Sequence, residues 1–505
     1  MECMWQGVEM MSTQKRRQGD MAAPRNEGIL FAIAACVVLL LCNAGAAWGA
    51  TYYIDYVGGS DSANGTSRAT SWRRCPGMSG FAGSYSHTAG DRFIFKGGVT
   101  WPNACFTMTI GNSGVAGGVD YYGVDRTWFT GGAWSRPVFN AGGAAITGGG
   151  LNKFINMMYV SYVQIDDIEF TGFYWDSTCQ TWPNSIMIHA YSSAYCSWTN
   201  CYFHNWSHGA GATSENGYGI VGNTTGTNAG TVVDHCIFDG SSTSDSLIGA
   251  IYGGIETVRF STFHDLLAGP ITYGNSAAHT VHDCVIYNIA YPFDGSAHPD
   301  GIYFWGAGSC YNNIVHDVKW GMAIDSIPSW EGNTGDVLIY NNVVWNFASP
   351  GNGPITLANE VGNYPGTERI FNNTLQGGAG ATGPAIRIIP SGYVVNAVII
   401  ENNHFITSFA SPAITVDGAG SVTTLTADSQ LLQTAAQAAA EGYDSSSLFA
   451  PTATGSTVDT GVSRAAYFGT DMLGVSRPQG SAWDIGAYEF QGAAKQAPPR
   501  GLRLK

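Results

Sequence analysis

The segment AHPDGIYFWG, residues 297–306, sets the imidazole of His298 and the carboxyl of Asp300 two residues apart. Gly301 closes the pair and an apolar, aromatic run follows. An imidazole and a carboxyl at this spacing can move protons. Pro299 and Gly301 also make ordinary turn chemistry, which needs no activity at all. Tyr303 and Trp305 alternate with Ile302 and Phe304, so one of these pairs faces out of a strand and can stack on sugar rings. Which reading holds depends on the elements that position these residues.

The chain has 505 residues, with 67 glycines and 25 tyrosines but only 12% charged residues, a strand-and-turn composition. A net charge of −15 argues against nucleic acid and anionic membrane surfaces as partners. Lys15, Arg16, Arg17 and Arg25 precede an apolar run from Ile29 to Cys42 and the small residues NAGAAWGA, the pattern of a cleaved export signal over 1–50. That run is shorter than the ~20 residues of a membrane span. The expected protein is therefore secreted, periplasmic or at the cell surface, with no retained span. Eight of the 11 cysteines follow the signal region. Export permits disulfides, and Cys75–Cys105 is a candidate clip.

The segments TNCYFHN, DHCIFDG, RFSTFHD, HDCVIYN, YNNIVHD, YNNVVWN, FNNTLQG and ENNHFIT superimpose without gaps. One column runs Cys201, Cys236, Ser261, Cys284, Asn313, Asn342, Asn373, Asn403. Two residues later stand Phe203, Phe238, Phe263, Ile286, Val315, Val344, Leu375 and Phe405. This period is that of a β-solenoid, in which like residues of successive coils stack at about 4.8 Å. A buried asparagine column survives if its amides bond to one another. The three cysteines read as inert stacked thiols. His235, His264, His282 and His316 recur beside the strands and read as turn or surface residues rather than metal ligands.

A second strand recurs as GAIYGG, GPITYG, DGIYFW, GMAIDS, GPITLA, GPAIRI and SPAITV, so coils continue to about residue 420. Outward side chains of successive coils form a stripe where a solenoid binds ligands. Asp300, Lys319, Asn352 and Arg387 fall near one edge of this sheet over three steps, roughly 14 Å.

These coils resemble the right-handed parallel β-helix, or pectate-lyase-like, superfamily. The start TYYIDYVGGSDSANGTS with GDRFIFKGGVTW resembles the N-terminal cap of its secreted members. The stretch STVDTG to DIGAYEF resembles the choice-of-anchor Q segment of exported bacterial β-helix proteins. The implied layout is an all-β, right-handed parallel β-helix with its cap over 51–430, a C-terminal cap over 431–492 and a disordered tail over 493–505. LLQTAAQAAAEGY (431–443) is the one helix-like piece, and Arg477, Asp484 and Glu489 are expected to pair and close the last coil.

His298-Pro299-Asp300-Gly301 resembles the first motif of the polygalacturonase family, Gly351-Asn352-Gly353 the third and Arg387-Ile388-Ile389 the fourth. At the second, Lys319 and Trp320 occupy the acidic positions. Inverting hydrolysis needs two carboxyl groups, and one aspartate cannot serve as both. A lysine there suits β-elimination on a uronic acid, as resemblance to β-helix lyases implies. Lys319, Asp300, His298 and Arg387 are then the catalytic candidates, with Tyr303, Trp305 and Asn352 binding substrate. Asp294 and Asp300 could hold Ca²⁺, easing the meeting of an acidic protein with an acidic sugar. The expected function is an exported, monomeric lyase acting on a uronic-acid polysaccharide, with a glycoside hydrolase behind it. The alternative is a non-catalytic solenoid that binds glycans or mediates adhesion.

Overall fold

The computed structural model describes residues 49–146, 152–176, 185–209, 217–222, 228–240, 249–266, 269–272, 279–289, 299–329, 332–407 and 409–492. Residues 1–48, Cys179, Asp294, His298 and the tail beyond residue 492 lie outside the described residues. Three long sheets of 13, 12 and 11 strands carry the fold, and neighbouring strands pair in parallel. The chain visits them in turn. Gly308–Tyr311 lies in the first sheet, Ile314–Val318 in the second and Ile324–Ile327 in the third, and Val337–Tyr340 returns to the first. This is the parallel β-helix that the repeat foretells.

The corner between the first and second sheets explains the Asn-Asn pairs. The leading member, Asn312, Asn341, Asn372 or Asn402, has φ of 52° to 57°, a left-handed conformation that asparagine tolerates better than most residues. The second member is buried. Asn313 donates through both its main-chain N–H and Nδ2 to Asn342 Oδ1 at 3.0 Å, and Nδ2 also reaches Val281 O of the preceding coil at 3.0 Å. In the earlier rungs a thiol takes that last role. Cys236 Sγ donates to Trp198 O at 3.4 Å, the matching position one coil back, and Cys284 Sγ to Val258 O at 3.8 Å. Burial pushes the Cys201 and Cys284 thiols well up, as suits inert groups. Behind the ladder Phe203, Phe238 and Phe263 stack face to face with centroids 4.5 and 5.0 Å apart.

Three details differ from the expectations. Cys75 and Cys105 are buried free thiols, not a disulfide. Leu431–Thr434 is a strand of the second sheet rather than the start of a helix, and the helix Ala435–Ala440 follows it behind a Thr434–Gln437 capping box. The last segment runs along the corner of three coils instead of closing the final one. Asn341 Nδ2 donates to Thr470 O at 2.9 Å, Asn372 Nδ2 to Asp484 O at 2.8 Å, and Val462 N to Asn402 Oδ1 at 2.9 Å. The left-handed asparagines turn their side chains to the outside of the corner, so they hold the segment there. Within it Arg477 pairs with Glu489 at 2.9 Å, both fully buried. No described helix is long and apolar enough to cross a membrane.

Candidate functional site

The third sheet buries one edge of each strand in the core and turns the other out. Ile302, Ile324, Ile355 and Ile386 pack inside, while Tyr303, Asp325, Thr356, Arg387 and Thr415 form one outward ladder in exact register across five coils. Tyr303 and Trp305 are thus the outward pair, with ring centroids 5.2 Å apart at 86°. Ile327 and Ala358 pack with them in a cluster separate from the core.

Asp300 sits just before this strand, 1% exposed, where its Oδ1 accepts the Met322 N–H of the next coil at 2.6 Å. A Cβ on Gly321 would lie 2.5 Å from that oxygen and 2.4 Å from Pro299 O, so only glycine admits the close approach. Asp325, 3% exposed, is the neighbouring carboxyl. Burial, and then Asp300, Glu360 and Glu368, push it well above the usual carboxylate range. Glu360 is exposed on the following turn. Glu368 lies inside the coil, where Ser326 Oγ donates to it at 3.4 Å, and burial raises it to about 8.

Arg387 and Asn352 come together as expected. Arg387 Nε donates to Asp417 Oδ2 at 2.8 Å and Nη1 to Asn352 Oδ1 at 3.5 Å, two strand steps or about 10 Å from Asp325. Lys319 is exposed on the turn leaving the second sheet. Its charge acts on Asp317, and it makes no hydrogen bond or ion pair with Asp300 or Asp325. Asp294 and His298 fall outside the described residues.

Sequence reasoning missed Asp325. Stacking GMAIDS on DGIYFW puts Ala323 over Ile302, whereas the structure pairs Ile324 with Ile302 and Asp325 with Tyr303. A one-residue slip exchanges the two faces of a strand. Matching Ile324 to Ile302 would have revealed it.

Five steps back along the same ladder, roughly 24 Å from Asp325, stands His189 beside Asn156. His189 is held down to about 4 by burial and then by Lys153, itself brought down to about 8 by burial. Lys153 is 1% exposed and forms no ion pair with a described carboxylate. Sequence reading passed over all three residues, because nothing in their spacing marks them.

The arrangement near Asp325 offers two neighbouring carboxyls, one of them pushed well above the usual carboxylate range, beside an aromatic pair, with an arginine two strand steps away. No protein-family model matches the chain, and no curated protein matches it. Among solved structures it is similar to the GH136 lacto-N-biosidase from Eubacterium ramulus, at 10% identity, TM-score 0.46, covering 80% of this chain and 71% of that one. It is similar also to the pectate lyase Pel9A, at 13% identity, TM-score 0.42, covering 88% and 97%. PfbA, a surface adhesin of Streptococcus pneumoniae, is a third, at 12% identity, TM-score 0.35, covering 68% and 81%.

Proposed function

We propose that the chain is an exported glycan-cleaving enzyme that hydrolyses a glycosidic bond over the outward face of the third sheet. The observation that carries this reading is the pairing of Asp300 with Asp325. On this reading Asp325, whose carboxyl is pushed well above the usual range, supplies the proton to the leaving glycosidic oxygen, and Asp300 is the second carboxyl, which activates water. Trp305, the less buried of the aromatic pair, offers its ring to the sugar, and Arg387 with Asn352 positions it from the next coils. Hydrolysis is favoured over elimination because Lys319, the base that elimination would use, stands apart from the pair.

A second reading is a solenoid that holds glycans without cutting them. The near-complete burial of Asp300 and Asp325 favours it, since a substrate must reach them. The deciding experiment incubates the protein with uronic-acid and neutral polysaccharides, with and without Ca²⁺. New reducing ends and unsaturated-uronate absorbance are followed together. Hydrolysis produces reducing ends alone, lost in Asp325→Asn and Asp300→Asn. Absorbance that disappears in Lys319→Ala would replace this proposal with elimination. Retention of sugar without either product would establish the binder.

A further inference from the structure

We propose that Asp239, His264 and Asp265, on the outer face of the second sheet, form a binding site for a divalent transition-metal ion. The strands Ile237–Asp239 and Thr262–Leu266 are neighbours, and Asp239 stands opposite His264 in register. Asp265 follows with φ of 56°. One ligand atom from each side chain lies within 4.8 Å of the other two. His264 Nδ1 is 3.7 Å from Asp239 Oδ1 and 2.7 Å from Asp265 Oδ2. An ion bound there replaces the proton shared between His264 and Asp265, and small side-chain rotations bring the three atoms to one centre.

The groups around these atoms already orient them. Tyr202 OH donates to the other oxygen of Asp239 at 2.9 Å, and Asn288 Nδ2 donates to the other oxygen of Asp265. The His264 ring is stacked on Tyr287, with centroids 4.9 Å apart and 4° between planes. Each donor is therefore held by a second residue that leaves its ligand atom facing the other two, as outer partners of metal ligands do.

Two further His-Asp pairs show what is special here. His282 contacts Asp283 and His316 contacts Asp317, each at 2.6 Å, through the same Nδ1-to-carboxylate geometry. Opposite His282 in the preceding coil stands Arg259, and opposite His316 stands Tyr287. At His264 the preceding coil instead supplies a carboxylate. The His-Asp contact itself belongs to the turn, and the third donor makes the site. One imidazole nitrogen and two carboxylate oxygens suit zinc- or manganese-type ions, whereas calcium takes oxygen ligands.

The test uses the full chain, freed of metal by a chelator and then titrated with Zn²⁺, Mn²⁺ or Ca²⁺ alone by calorimetry. Thermal unfolding is followed in parallel. One equivalent of Zn²⁺ or Mn²⁺ should bind and raise the unfolding midpoint, with Ca²⁺ weaker. Asp239→Asn, which keeps the shape of the side chain, and His264→Ala should each weaken binding about tenfold or more. His316→Ala should leave it unchanged. Absence of binding, a preference for Ca²⁺, or equal losses in His264→Ala and His316→Ala would overturn the proposal. Circular dichroism of each variant separates loss of the site from loss of the fold.

Discussion

Asn373 Oδ1 accepts two hydrogen bonds from Asn342, one from the main-chain N–H and one from Nδ2, both at 3.0 Å. The same double acceptance links Asn313 to Asn342 and Asn373 to Asn403, so each amide closes the corner of one coil onto the next. Asn342→Ala removes the acceptor for two buried donors of Asn313 as well as its own bonds. It should cost about 3 kcal/mol or more in urea unfolding. Asn342→Ser should cost less, because Ser261 in the same column already accepts the Cys236 N–H at 3.1 Å.

Arg477 holds the C-terminal segment to the coils. Its guanidinium reaches Glu489 at 2.9 Å, the carbonyls of Asp484 and Gly486 at 3.1 and 2.9 Å, and Asn341 Oδ1 at 3.3 Å. Arg477→Ala leaves the Glu489 carboxylate buried without its cation and should destabilise by about 3–5 kcal/mol. Arg477→Lys should rescue little, since an ammonium cannot span four acceptors arranged for a fork. Limited proteolysis should cut the segment between residues 457 and 490 in the variant first.

Glu368 introduces a pH dependence with a definite sign. Its carboxyl is raised from 4.5 to about 8, so the folded state binds the extra proton in that window. The stabilisation is full below pH 4.5 and is lost as pH rises toward 8, by at most about 1.4 kcal/mol per unit. His189, lowered from 6.5 to about 4, acts oppositely, because the folded state gives up stability as pH falls from 6.5 to 4. The two slopes oppose each other between about pH 4.5 and 6.5. Above that, Glu368→Gln should flatten the decline seen in denaturant titrations.

Lys153 is a buried amine lowered from 10.5 to about 8. At pH 7 it is charged in both states, and its burial costs the folded state about 3 kcal/mol. Lys153→Met should raise the stability at pH 7 by an amount of that order. At pH 10.5 and above the gain should vanish.

Asp325 and Lys319 separate the two chemistries. Asp325→Asn should lower turnover of a hydrolysed substrate by about 10²-fold or more, the contribution of a general acid. The wild-type rate should fall on the alkaline side as Asp325 loses its proton, and that limb should be absent in the variant. Lys319→Ala should leave both rate and unfolding midpoint unchanged, because its side chain is exposed and apart from the pair.

Local demands made much of this protein legible from its residues alone. A left-handed corner followed by a buried amide needs the Asn-Asn pair, and a strand between two such corners needs apolar alternation. The period of these features dictates a parallel β-helix whatever the loops contain. The meeting of Arg387 with Asn352 followed from the same stacking. Asp239 opposite His264 stands in that gap-free stack as well. Asp325 beside Asp300 did not follow, because it depends on the register between coils of the third sheet, which the lengths and paths of the intervening turns set, and a slip of one residue turns a side chain from the core to the outside. The resting place of the Arg477 segment was hidden for a related reason. Its partners Asn341, Asn372 and Asn402 lie 60 to 136 residues away in sequence, on a surface that exists only once the coils have stacked.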